Sequence, residues 1–198
     1  MTGDRLDFEK QSRLLTQPLS ANWPGPGEGR TFLVMANAGW YYQTKKPAVV
    51  LDCLLSLDVM GPENVPIKRS RSYYQWETGK QPDVVIEFVT ARTGGEESFK
   101  KQHSARLGVP HYAVFDPLRL LSEDTLRTYE LVAARYWPGD PGPWPGIGLG
   151  LRVWEGMFEG VRAIWLRWCD ANGEIVPTEK ERFSQADEPV LLGEAEPR

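Results

Sequence analysis

Three side chains have the types and spacing to work on a charged oxygen: Asp52, Glu87 and Lys100. Glu87 lies in Pro82-Asp83-Val84-Val85-Ile86-Glu87-Phe88-Val89-Thr90, an apolar run rich in Val, Ile and Phe. The run reads as a strand covered on both faces. A carboxylate in the middle of such a strand is expensive to bury unless a metal ion or a cationic partner compensates it. Asp52 is embedded in a second apolar strand, Ala48 to Leu55, and Lys100 falls in the helix that follows the Glu87 strand. Two carboxylates on adjacent strands can share a divalent cation through hard oxygen ligands. A lysine nearby can position or deprotonate water and stabilise charge developing on a phosphate. That is a minimum set for metal-assisted phosphodiester hydrolysis. The plain alternative is that the two acids cap or bridge within the fold and Lys100 is one surface lysine among many.

The elements that must position these residues are legible in outline. Residues 5–15 suit a short helix, and Pro18, Pro24-Gly25-Pro26-Gly27 and Gly29 then enforce an irregular loop. Thr31 to Met35 and Gly39 to Tyr42 read as two short strands ahead of the Asp52 strand. Met60 to Gln81 is turn-rich and basic, with an aromatic Tyr73-Tyr74-Gln75-Trp76. Tyr73, Tyr74 and Trp76 could stack on bases or form a satellite cluster under the loop. Glu96 to Leu107 has helical composition and stops at Gly108. Val109 to Pro117 is the next strand, so strand, helix and strand form a βαβ unit with a parallel pair. Leu126 to Trp137 gives another strand pair. After a Pro/Gly-rich loop from Pro138 to Gly150, Leu151 to Trp154 and Ala163 to Trp168 pair as a hairpin, with a turn at Asp170 to Gly173. The division expected is an N-terminal helix and loop over 1–30, one domain over 31–183, and a polar, frayed tail over 184–198.

Composition narrows the class. With 198 residues, 41% hydrophobic and 25% charged, the chain suits one domain with a real core. No stretch approaches the roughly 18 to 20 apolar residues that cross a bilayer, so no membrane partner is expected. The first residues carry acids and lack the apolar stretch of a signal peptide. Cys53 and Cys169 lie far apart without CxxC spacing. They read as buried free thiols, which favours a cytoplasmic location. A net charge of −4 argues against a nucleic-acid coat protein but not against an enzyme touching a phosphate backbone locally. Lys45-Lys46, Lys68-Arg69 with Arg71, and Lys100-Lys101 with Arg106 are basic clusters whose plain reading is a solvated face. His103 and His111 lack ligand spacing and read as packing or surface residues. Asp83 is four residues before Glu87, about 13 Å along a strand. It reads as a strand-start cap rather than a co-ligand.

The segment Pro82 to Glu87, then Thr90 to Thr93, Lys100, Leu107-Gly108-Val109-Pro110-His111-Tyr112 and Phe115-Asp116-Pro117, resembles the restriction-endonuclease family called Uma-two. This is a branch of the PD-(D/E)XK nuclease superfamily. The likeness covers roughly residues 35 to 178 and is strongest from 70 to 117. Tyr74 and Trp76 ahead of Gly79-Lys80, and Gly148-Leu149-Gly150-Leu151, also look like one subgroup. By position, Asp52 corresponds to the acid of the first core strand and Glu87 to the acid of the second. Val89 stands where much of the superfamily has its lysine, and Lys100 matches the family's lysine in the next helix. Three departures are plain: Leu51 stands where the family usually has Pro, Ser104 where a Tyr is expected, and the N-terminal helix, which in the family often supplies an additional Glu, is short here, with Glu9 its one candidate.

The resemblance implies an α/β restriction-endonuclease-like fold, a mixed central sheet flanked by helices with extra β-hairpins. It implies a metal-dependent endonuclease hydrolysing DNA, in which Asp52 and Glu87 ligate Mg²⁺ or Mn²⁺ and Lys100 orients or activates water. Two-strand cleavage by this fold usually implies a homodimer. The rivals are a catalytically inactive binding or assembly module on the same fold, and a metal-dependent hydrolase of a small phosphorylated substrate.

Overall fold

The computed structural model describes residues 3–27, 29–59, 71–91 and 95–186. Among them the chain forms nine strands and four helices. Helix α1 (Gly3–Asn22) precedes strands β1 (Phe32–Tyr41), β2 (Val49–Leu57) and β3 (Ser72–Tyr74). The short helix α2 (Gln75–Thr78), β4 (Val84–Phe88), α3 (Gly95–Arg106) and β5 (His111–Phe115) follow. Then come β6 (Leu126–Val132), β7 (Arg135–Pro138), β8 (Leu149–Phe158), β9 (Val161–Asp170) and α4 (Glu179–Ala186). The fold is α/β.

Seven strands make one mixed sheet in the order β3-β1-β2-β4-β5-β6-β7, and β8-β9 form a separate hairpin. β4 and β5 run parallel and β1, β2 and β4 antiparallel, so the βαβ unit is present with α3 as its crossover. Alternation sends the side chains of β2 and β4 into two cores. On one face Cys53, Leu55, Ile86 and Phe115 meet Leu15 and Leu19 of α1 and Leu166 and Trp168 of the hairpin. On the other, Trp40, Leu54, Val85 and Tyr112 meet Tyr73 and Leu107. β4 is therefore buried along its whole length, as its unbroken apolar run requires. The hairpin turns at Glu159-Gly160, both with positive φ, as a tight two-residue turn demands.

Several expectations need correcting. Residues 5–15 are only part of α1, which continues through Pro18 to Asn22. Leu14, Leu15 and Leu19 are fully buried, and the Trp168 indole donates to the Leu15 carbonyl at 2.9 Å. Burial of that face holds the helix across its proline. Because those leucines complete the main core, α1 belongs to the domain rather than standing apart over 1–30. The two short strands before residue 48 are one, β1, irregular at Asn37, whose φ is 49°. Tyr73 is no loop residue: it is buried in β3, its hydroxyl 2.9 Å from Ser56 Oγ and donating to the Lys80 carbonyl. Helix α4 lies across the start of the expected tail, while 187–198 and Lys68-Arg69 fall outside the described residues. Cys53 and Cys169 are buried free thiols, as expected. No described helix is long and apolar enough to cross a membrane.

Candidate functional site

The site begins with a fault in the sheet. The β1–β2 ladder pairs Ala36 with Cys53 and Ala38 with Leu51, skipping Asn37 and Asp52 between them. The β2–β4 ladder stops at Cys53 and Ile86, one step before Asp52 and Glu87 would face each other. Asp52 thus sits where both of its strand's ladders lapse. Its carboxylate takes up part of the loss: Asp52 Oδ2 accepts the Phe88 N–H at 2.8 Å. The Asp52 N–H makes only a long contact, 3.4 Å, to Glu87 Oε1. The two carboxyl groups are neighbours all the same, since the Asp52 charge and a side-chain hydrogen bond with Asp52 both act on Glu87.

Lys100 joins them. Helix α3 returns over the sheet and brings its amine to 2.6 Å from Glu87 Oε2. The lysine side chain is 21% exposed and that of Glu87 6%, so this is not a lysine on a solvated helix face. Burial pushes the Glu87 carboxyl well above the usual range, and the Asp52 charge adds to the push. Lys100 acts in the opposite direction, and burial prevails. Cys53, enclosed behind the two acids, is driven up by burial in the same way and stays a thiol.

Asp52 opens on a cavity of about 950 Å³ between α1 and the sheet. Asn37 and Arg71 line one side, Phe88 and Thr90 another, and Ser12 and Arg13 of α1 close it over. Arg13 also pairs with Glu159 at the hairpin tip, fixing α1 to β8-β9. Glu9 borders the same cavity and pairs with Arg13 at 3.5 Å.

Asp83 does what its place at the strand entrance suggests. Its Oδ2 accepts the Leu57 N–H at 2.7 Å and its carboxylate pairs with Lys80. His103 stacks on Phe99 and meets Tyr42 edge-on, and His111 stacks on Trp144. Burial lowers the pKa of both, which fits packing roles. Neither Asn37 nor Arg71 was expected among the cavity residues. The ladder places both, and only the isolated Asn between two strand-like runs hinted at the fault.

The donor set is two carboxylates in a largely buried setting. Among the described residues no group of three or more His, Cys, Asp or Glu converges. Glu87 and Lys100 do not line the cavity, and of the three Asp52 alone opens on it. An acid with a second carboxyl behind it still fits hydrated Mg²⁺ or Mn²⁺, which commonly uses one or two protein carboxylates and fills its shell with water and substrate oxygens. No protein-family model, curated protein or solved structure matches the chain.

Proposed function

We propose that the chain is a metal-dependent endonuclease of restriction-endonuclease-like fold, with Asp52, Glu87 and Lys100 as its catalytic group and DNA as its substrate. The observation that carries this reading is the meeting of two neighbouring carboxyl groups and a lysine amine at a ladder fault, where one of the three, Asp52, opens on a cavity. Burying Glu87 beside the Asp52 charge is costly in itself, and a stability role alone gives no reason to place it where its neighbour Asp52 opens on a cavity. The likeness to Uma-two assigns the same three positions to catalysis and supports the reading independently.

Asp52 and Glu87 would hold Mg²⁺ or Mn²⁺. When bound, the ion supplies charge for the pentavalent phosphate and acidifies a water. The residues then divide the rest of the work. The Phe88 N–H holds the Asp52 carboxylate in place, and Lys100 keeps Glu87 aimed from the other side. The same amine can donate to the attacking water or to a phosphate oxygen as negative charge grows there. Arg71, on the cavity wall, faces the path of the sugar–phosphate backbone. Water adds to phosphorus and one ester P–O bond breaks, leaving a phosphomonoester end and a hydroxyl end.

The test is to separate chemistry from binding at Lys100. Lys100→Ala is expected to lose plasmid cleavage by about 10² or more while duplex affinity stays within a few-fold. Equal cleavage by wild type and variant removes Lys100 from the group. A non-catalytic module on the same fold draws on Ser104, which is buried where the family has a tyrosine, its Oγ without a hydrogen-bond partner among the described residues. Retained DNA binding without cleavage in either metal would favour that reading.

A further inference from the structure

Beyond the cavity, the same face of the sheet continues toward its β3 edge and carries an aromatic column. Tyr41 and Tyr74 are register partners on β1 and β3, with ring centroids 4.8 Å apart and planes within 23°. Trp76 follows at 5.1 Å from Tyr74 and keeps 49% of its surface in solvent. Trp40 and Tyr73 point into the core, so alternation puts Gly39, Tyr41, Ser72 and Tyr74 on the opposite face. Gly39 keeps that face low. A Cβ there would lie 3.2 Å from the Tyr41 ring and 3.4 Å from Ala48 Cβ.

Positive charge flanks the column on both sides. Arg71, immediately before β3, is exposed and lines the Asp52 cavity. Lys45 and Lys46 are exposed in the turn that joins β1 to β2, four and five residues after Tyr41. The register sets Tyr41 level with residue 48, four residues along β2 from Asp52. That is about 13 Å, or about four nucleotides at a rise of about 3.4 Å each.

We infer that the Tyr41–Tyr74–Trp76 column is a stacking platform for unpaired bases, with phosphates held by Arg71 on one side and Lys45-Lys46 on the other. The inference rests on the nuclease reading for its occupant and names the substrate: DNA with a single-stranded segment beside the reacting phosphate. Inside a duplex both faces of a base are covered by its neighbours, and only an unpaired base can offer a face to Trp76. Stacking of this kind is indifferent to sequence, because every base has such a face.

The experiment measures binding with chemistry held off. In EDTA, the full-length protein is titrated against fluorescent oligo(dT) and against a duplex of equal length, followed by anisotropy. Tighter binding to the single strand is expected. Trp76→Ala should weaken it about tenfold while duplex binding barely moves, and Trp76→Phe should recover most of the loss. Exchanging Lys45 and Lys46 for Ala should flatten the salt dependence by about one unit or slightly more. Because Trp76 is half in solvent, its variant should melt with the wild type, and the melt is recorded alongside. Duplex preference, no DNA binding by the wild type, or an unchanged Trp76→Ala affinity each overturns the platform. Cleavage is scored separately. Binding without nicking would sink the nuclease reading alone, and nicking with an indifferent Trp76 would sink the platform alone.

Discussion

Glu87 is pulled in two directions, and its charge state governs the site. Burial and the Asp52 charge favour the protonated form, and the Lys100 amine favours the carboxylate. A folded-state pKa above the unfolded one means that the folded chain holds the proton more tightly. The stability this provides is complete below the ordinary glutamate value and is lost as pH rises through the folded one. Wild type should therefore lose stability relative to Glu87→Gln as pH climbs above about 4.5 and through the raised folded value, read as urea midpoints at a series of pH values. A constant gap would mean that Glu87 titrates like an exposed acid. Asp52→Asn keeps an acceptor for the Phe88 N–H and removes the neighbouring charge, so it should lower the Glu87 pKa in a carboxyl NMR titration. Asp52 and Glu87 stood out in the sequence because charge inside apolar runs is expensive, while Lys100, in a polar helix, stood out mainly through the likeness to Uma-two; the structure brings its amine to Glu87. Arg71 and Asn37 did not stand out, since only the pairing of β1 with β2 and β3 brings them to Asp52.

Among the elements, α1 was read least well. Pro18 removes a helical N–H and in the sequence looks like a stop. The buried faces of Leu14, Leu15 and Leu19 and the Trp168 bond to Leu15 outweigh that local signal. If α1 is integral, Leu15→Ala should destabilise the protein by about 2–5 kcal/mol, measured by denaturant unfolding. An appendage would give a change near zero. β1 was split in two because Asn37 interrupts its apolar pattern, and the irregular residue proved to face Asp52. Helix α4 was legible but overlooked. Thr178 and Glu181 form a reciprocal cap, the Thr178 N–H donating to Glu181 and the Glu181 N–H to Thr178 Oγ. Its Glu181 also pairs with the buried Arg167 of β9. By contrast β4, α3 and β5 were read to within two residues at each end, because an apolar strand, a polar helix ended by Gly108 and a second apolar strand agree at every level.

At the scale of the whole molecule, the sheet places the acids on its central strands, with β1 and β3 to one side of them. The chain carries net negative charge, so DNA must be met by local cations rather than by the overall field. A divalent ion bound only by the folded protein should raise its melting temperature. The rise with Mg²⁺ or Mn²⁺ should vanish in Asp52→Ala, and an equal rise in that variant would move the ion elsewhere. The most direct measurement is nicking of supercoiled plasmid by the purified protein in Mg²⁺, Mn²⁺ and EDTA, beside Glu87→Ala prepared identically. The account predicts nicking by wild type in at least one metal, none in EDTA, and loss by about 10² or more in Glu87→Ala. Nicking that survives Glu87→Ala, or no nicking by wild type in either metal, contradicts it.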